Sequence, residues 1–256
     1  MKKYLEIMKY SLKKNTTFIL NYLFNIISFF VHILVFNALW DYIIKDGSLV
    51  GYTREELIVY IILTEFVIYS SNRCYKEIAN TIKNGEVAVM LSKPINYVCY
   101  ILAEQSTAII RIGVNIIVSI IMILLLGNGI QFSILGIVLC IISMMFSIIL
   151  NILLEVIIGL SAFYMEENRS IALVIQKMQF LLVFVPIEFY DGIFQKILAC
   201  LPITYSIYPP GKLLVHPDLG LGIKLISMQI IVLLLSIFTV AIMYKKGVKK
   251  INVNGG

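Results

Sequence analysis

The chain has 256 residues, 60% of them hydrophobic and 14% charged, with a formal net charge of +6 and a mean hydropathy of +0.93. That composition excludes a soluble globule, and apolar runs without the roughly ten-residue alternation of barrel strands exclude a transmembrane β-barrel. Several runs reach the roughly 20 apolar residues that cross a hydrocarbon core about 30 Å thick, so the class is an all-α polytopic membrane protein.

Residues 1–15 come first. Tyr4, Leu5, Met8 and Leu12 recur at helical spacing against Lys2, Lys3, Lys9 and Lys13. This is the pattern of an amphipathic interfacial helix, and it also fits a plain basic flank. The apolar block that follows is too long for a signal sequence and lacks a small-residue cleavage site. Six spans are predicted, at about 17–40, 55–74, 98–126, 132–163, 170–188 and 222–244, in a single transmembrane domain covering 1–256.

Span one carries Asn21, Asn25, Ser28 and His32 on one face. Span two opens on Thr53-Arg-Glu-Glu56, a capping box. It holds Glu65 about 12 Å from its outer end, a depth that His32 shares. A carboxyl there pairs with His32, faces a polar cavity, or stays protonated against a carbonyl.

The loop at 75–97 contains IKNGEVAVMLSKPINY (Ile82 to Tyr97). Gly85 can turn the chain, Glu86 suits a helix N-terminus, and Lys93-Pro94 closes the apolar run before the next span. Val87, Met90 and Leu91 share one face of a short helix, which suits either lipid or a groove on a soluble partner.

Span three carries Glu104, Ala108, Arg111, Asn115 and Ser119 on one face, and span four carries Ser143, Ser147, Asn151, Glu155 and Gly159, each four apart. Such stripes serve helix–helix contact or a polar path. Depths counted along the helices bring Arg111 level with Ser147 and Asn151, with Glu104 and Glu155 below, so spans three and four are expected to meet there. Five of the six prolines (Pro186, Pro202, Pro209, Pro210, Pro217) lie between the last two spans. Residues 189–221 are apolar yet too broken to cross, which predicts an extracellular cap of short helices dipping into the outer leaflet.

Fourteen of the 21 basic residues fall on the side of the termini and the 75–97 loop, and five on the other. Both termini and that loop are therefore expected in the cytoplasm. No GxxxxGK[ST], HExxH or GxSxG is present, and the four cysteines lack disulfide or metal spacing. These absences speak against an enzyme and a bound cofactor or metal, and the distribution of the basic residues speaks against a nucleic-acid partner. Uphill transport would need energy from another subunit.

The order of features resembles the type 2 permease subunits of ATP-binding-cassette exporters. The pattern I-x-x-G-E…L-x-K-P (Ile82, Gly85, Glu86, Leu91, Lys93, Pro94) and the later LP…Y-x-P (Leu201, Pro202, Tyr208, Pro210) carry the resemblance. It implies a multi-pass permease of the cell membrane, in a bacterium, pairing with an identical or related permease. A separate cytoplasmic ATPase would bind ATP and Mg and dock on a coupling helix at 82–94, where Gly85, Glu86, Val87, Met90, Leu91, Lys93 and Pro94 would engage it. The intramembrane polar residues His32, Glu65, Glu104, Arg111, Asn151 and Glu155 are candidates for the path. Two other classes fit the spans. One is an ion- or proton-coupled secondary transporter using Glu65, Glu104 and Glu155, and the other a non-transporting scaffold or immunity protein.

Overall fold

A computed structural model describes residues 2–15, 19–45, 47–71, 73–127 and 129–254. It is 84% helix, with no strand among the described residues. In chain order the helices are α1 (Lys2–Asn15), α2 (Ile19–Ile43), α3 (Arg54–Ser70), α4 (Tyr75–Lys83), α5 (Glu86–Leu91), α6 (Tyr97–Glu104) and α7 (Ala108–Leu126). They continue with α8 (Ile134–Leu160), α9 (Arg169–Phe184), α10 (Gly192–Cys200), α11 (Pro202–Val215) and α12 (Leu219–Asn254).

Five runs are long and apolar enough to cross a membrane: Leu23–Ile43, Arg54–Lys83, Tyr97–Leu126, Ile134–Phe163 and Leu219–Lys250. The expected fifth span, 170–188, is the 16-residue α9, about 24 Å long. It stops because Pro186 forces the preceding Val185 into extended backbone (φ −132°, ψ 113°). The expected second span also ends early: α3 closes at Ser70, and α4 begins a separate helix at Tyr75. By contrast α12 has 36 residues, about 54 Å, and outruns a hydrocarbon core.

The start of α3 follows from its sequence. Thr53 Oγ1 accepts from the Glu56 amide (3.3 Å), and Glu56 Oε2 accepts from the Thr53 amide (2.8 Å). The next seven residues, Leu57 to Leu63, are all buried, which is how a helix apolar on every side must be placed. The run is 82% buried, against 17–39% for the other four. It is therefore the centre of the bundle, with α2, α7, α8, α9 and α11 packed around it.

Most of α11 is also buried, although Pro209 and Pro210 lie inside it. Proline lacks an amide hydrogen, so Pro209 leaves the Tyr205 carbonyl without its helical donor. Gln229 of α12 supplies one: its Nε2 stands 3.0 Å from that carbonyl, and also 3.0 Å from Ser147 Oγ and 3.2 Å from the Ser143 carbonyl of α8. One buried amide thus joins three helices. Next to the prolines, a Cβ on Gly211 would meet the Tyr60 ring at 2.5 Å, so only glycine lets α11 lie this close to α3.

Candidate functional site

The polar side chains of α2 and α3 meet in the C-terminal part of α3. His32 Nδ1 stands 3.3 Å from Glu65 Oε1 and 3.2 Å from Tyr69 Oη, one helical turn below Glu65. The two residues that share a depth in the sequence thus share a contact. Glu65 is buried (4% exposed), whereas 42% of the His32 side chain is open. A carboxyl so placed needs its partner, because burying a lone charge is costly. Behind it α3 is tied to α9, as Tyr60 Oη donates to the Leu182 carbonyl (2.6 Å) and Thr64 Oγ1 to that of Val183 (3.0 Å).

The end of α3 is a second polar junction. Asn115 of α7 donates to Ser70 Oγ (3.3 Å), Asn151 of α8 donates to Ser71 Oγ (2.9 Å), and Gln179 of α9 donates to Asn151 Oδ1 (2.8 Å). This corrects the expected meeting of spans three and four. Arg111 does not join Ser147 and Asn151: α7 packs on α3, while Ser147 bonds to α12 and Asn151 to α3 and α9. The reason is the central position of α3, which fills the space between α7 and α8.

The stripe on α8 is turned inward along its length. Ser143, Ser147, Asn151 and Glu155 are all buried. Glu155 Oε2 accepts from the Tyr75 amide (3.4 Å), a carboxylate at the N-terminus of α4. One turn on, a Cβ on Gly159 would lie 2.7 Å from Ile78 Cβ, so glycine is what allows α4 to seat on α8.

Of the span-one stripe, as far as its side chains are described (Asn21 lies outside them), Ser28 is exposed and Asn25 and His32 are partly buried. Asn25, Ser28, Tyr69, Ser71, Arg73, Glu77, Glu104 and Arg111, with Ser11 of α1, line a cavity of about 720 Å³. A smaller hollow of about 90 Å³ shares Ile68, Tyr69, Ser71 and Arg73 with it and reaches His32, Glu65, Asn151, Glu155 and Gln179. Together they form a polar seam from Glu65 of α3, past the end of that helix, to Glu77 of α4. Four of the six expected intramembrane polar residues line the smaller hollow, and Glu104 and Arg111 line the larger. Glu104 Oε1 also accepts from Tyr100 Oη (2.9 Å).

The 75–97 loop folds as α4, a left-handed turn at Gly85 (φ +74°), and α5 with Glu86 in its first turn. Gly85 has the open conformation that L residues avoid. The apolar face points the other way from a docking knob. Val87 is fully buried, packed with Cys74, Ile78, Ile82, Tyr97 and Ile101, and Met90 and Leu91 lean on the same cluster. What α5 shows outward is Glu86, Ala88 and Val89, the last 62% exposed, followed by Ser92, Lys93 and Pro94. The inversion has a simple cause: α4 and α6 offer Val87 a core of this chain's own. The segment is also tied to α1, since Lys3 Nζ donates to the Pro94 carbonyl and the Asn96 amide donates to Tyr4 Oη (2.9 Å).

Sequence reasoning missed a cluster between α9 and α12. Lys212 Nζ of α11 lies 2.6 Å from Glu188 Oε1 and 2.8 Å from Tyr52 Oη, and Tyr208 Oη donates to Glu188 (2.6 Å). Burial pushes the Glu188 carboxyl up, but hydrogen bonds from Lys212 and Tyr208 and the Lys212 charge hold it below its usual range. The available signal was an isolated charge in each of two apolar segments, VPIEF and PPGKLL.

Residues 22–255 match the family described as ABC-2 family transporter protein. No curated protein matches the chain.

Proposed function

The chain belongs to the ABC-2 transporter family, and from that premise we propose that it is the membrane-spanning permease subunit of an ATP-binding-cassette exporter. It crosses the membrane six times, with α9 as the short fifth crossing, both termini in the cytoplasm, and α10 and α11 on the outer side. Two permeases form the path. A separate cytoplasmic ATPase, carrying ATP and Mg, docks beneath α4 and α5 and drives it.

The observation that carries this reading is the polar seam. A bundle with five long apolar runs puts His32, Glu65, Asn151, Glu155, Glu104 and Arg111 around two adjoining hollows. Polar side chains at that depth are costly unless they bound a path or bond to one another. The docking surface is supported by the exposed side of the 85–94 segment: Gly85, Glu86, Val89, Lys93 and Pro94. Val87, Met90 and Leu91 act from behind, by fixing α5 to α4 and α6. Motion at α5 then reaches α8 through the Ile78–Gly159 and Tyr75–Glu155 contacts.

The test is to look for a neighbouring reading frame that encodes a soluble protein with a Walker A motif and to co-purify that protein with this chain. Val89→Asp is expected to abolish the complex while the permease stays monodisperse, because Val89 is exposed. A complex that survives both Val89→Asp and Glu86→Lys, or transport that runs without ATP, would sink the proposal. The second outcome would favour a secondary transporter.

A further inference from the structure

The apolar stripe of α1 is used within the chain. Tyr4, Ile7, Met8, Ser11 and Leu12 recur every three or four residues and are all partly or fully buried, and α1 packs on α6 and on the Gln105–Thr107 turn that follows it. The Asn96 amide at the start of α6 donates to Tyr4 Oη (2.9 Å), and Ser11 lines the larger cavity with Gln105 and Thr107, so the two helices run side by side in one direction. What α1 presents outward is Lys3, Leu5, Glu6, Lys9, Tyr10 and Lys13, with Leu5 56% and Tyr10 69% exposed. At 3.6 residues per turn Glu6, Lys9 and Lys13 form the middle of this face, and Leu5 and Tyr10 border it on opposite edges. The helix holds five lysines against one glutamate, and the exposed Lys93 stands next to Pro94, whose carbonyl receives Lys3 Nζ. No ion pair among the described residues involves Lys9 or Lys93.

Position says which surface this face meets. The run Tyr97–Leu126 has 30 residues, about 45 Å, whereas the 19 residues of α7 alone make about 28 Å, enough for a hydrocarbon core. α6 and the turn after it, with α1 beside them, therefore lie at the level of the head groups. The chain from Asn15 to Ile19 reaches about 14 Å at most, which keeps the end of α1 at the entry of α2. A row of lysines bordered by a leucine and a tyrosine suits that layer, because ammonium groups reach phosphates while stems and rings lie on acyl chains. An acidic protein surface would match the charge but not the two apolar borders.

Resting on the permease reading above, which puts this end of the bundle in the cytoplasm, we propose that the outer face of α1 binds anionic phospholipid head groups of the inner leaflet. Through the Lys3–Pro94 and Tyr4–Asn96 hydrogen bonds this contact holds the segment that follows α5. The charge of the membrane thereby sets how firmly the docking side of α5 is held.

The purified permease in phosphatidylcholine vesicles, without ATPase or ATP, tests both parts. Tyr10→Trp places a reporter on the exposed face, and the wild type, whose sole tryptophan Trp40 is buried, gives the background. Brominated phosphatidylglycerol is expected to quench the reporter with a preference of about tenfold or more over brominated phosphatidylcholine, since each lysine near an anionic surface contributes about fivefold. Lys9→Gln, at an exposed position, should remove about fivefold, and 1 M salt should weaken what remains. Hydrogen exchange of the Asn96 amide, the one that Tyr4 Oη accepts, should be about threefold or more slower in vesicles containing phosphatidylglycerol, and Lys9→Gln should shrink that difference. Equal quenching by the two lipids, or a preference unchanged in Lys9→Gln, overturns the proposal and leaves the face to an acidic protein. Asn96 exchange that ignores lipid charge overturns it too, because α1 would then bind lipid without acting on the docking segment. Any of these failures beside an intact ATPase complex removes this inference and leaves the permease reading standing.

Discussion

Replacing Gln229 by leucine isolates the joint between α8, α11 and α12. The side chain is fully buried, and its amide donates toward the Tyr205 carbonyl, Ser147 Oγ and the Ser143 carbonyl. Two hydrogens mean that two net bonds are lost, at about 1 kcal/mol each, and the Tyr205 carbonyl is left buried without a donor for about 1–3 kcal/mol more. Removing the Gln229 Oε1, which has no partner among the described residues, returns part of this, so the expected loss is about 2–3 kcal/mol. Thermal unfolding of the detergent-solubilised protein should show a midpoint lowered by about 4–12 °C, at about 2–4 °C per kcal/mol. The reasoning makes a sharper claim in a second background. Pro209→Ala restores the amide that α11 lacks, so Tyr205 regains an intrahelical donor and Gln229→Leu should cost at least about 1 kcal/mol less. An equal drop in both backgrounds would refute the idea that Gln229 stands in for the missing proline amide.

Two further predictions concern packing and charge. Gly211→Ala should destabilise by about 1–2 kcal/mol in the same assay, after about 1 kcal/mol of helix propensity is set against overpacking, because Tyr60 is buried and tethered to the Leu182 carbonyl. Gly222→Ala meets only the rotatable end of Leu139 and should be neutral or stabilising; equal losses at the two sites would contradict this. Lys212→Met should cost about 2 kcal/mol at neutral pH, less than a fully buried pair because both partners are partly open. Since the Glu188 carboxyl titrates below its usual range, the stability it adds is present above the ordinary carboxylate pKa and lost as pH falls through its lowered value. The gap between wild type and Lys212→Met should therefore close below about pH 4, and a gap constant with pH would refute the pairing.

Much of the architecture was legible because membrane helices announce themselves by length and apolar composition. The α8 stripe was legible too, since a four-residue repeat marks one face whatever lies opposite. What lies opposite was not. Arg111 and Ser147 have matching depths, but depth along a helix says nothing about which helix stands between them, and α3 does. Likewise the 3.6 period put Val87, Met90 and Leu91 on one side of α5 without saying whether that side faces a partner or the chain itself. The end of α9 could be anticipated at Pro186. The break after Ser70 has no proline or glycine to mark it and depends on the junction with Asn115 and Asn151. The Lys212–Glu188 contact joins two segments 24 residues apart, where no periodicity reaches.

The central place of α3 also sets terms for biosynthesis. Its run is the least hydrophobic of the five, with a hydropathy of 1.3 against 1.9–2.8, and it is the second to leave the ribosome. The carbonyls that receive its Tyr60 and Thr64 hydroxyls lie 122 and 119 residues downstream. A nascent chain that has reached residue 100 therefore holds Glu65 in a poorly apolar helix with only α2 as a neighbour. The His32 contact is the first polar partner that the order of synthesis makes available. Enclosure by α8, α9 and α11 comes only later in that order.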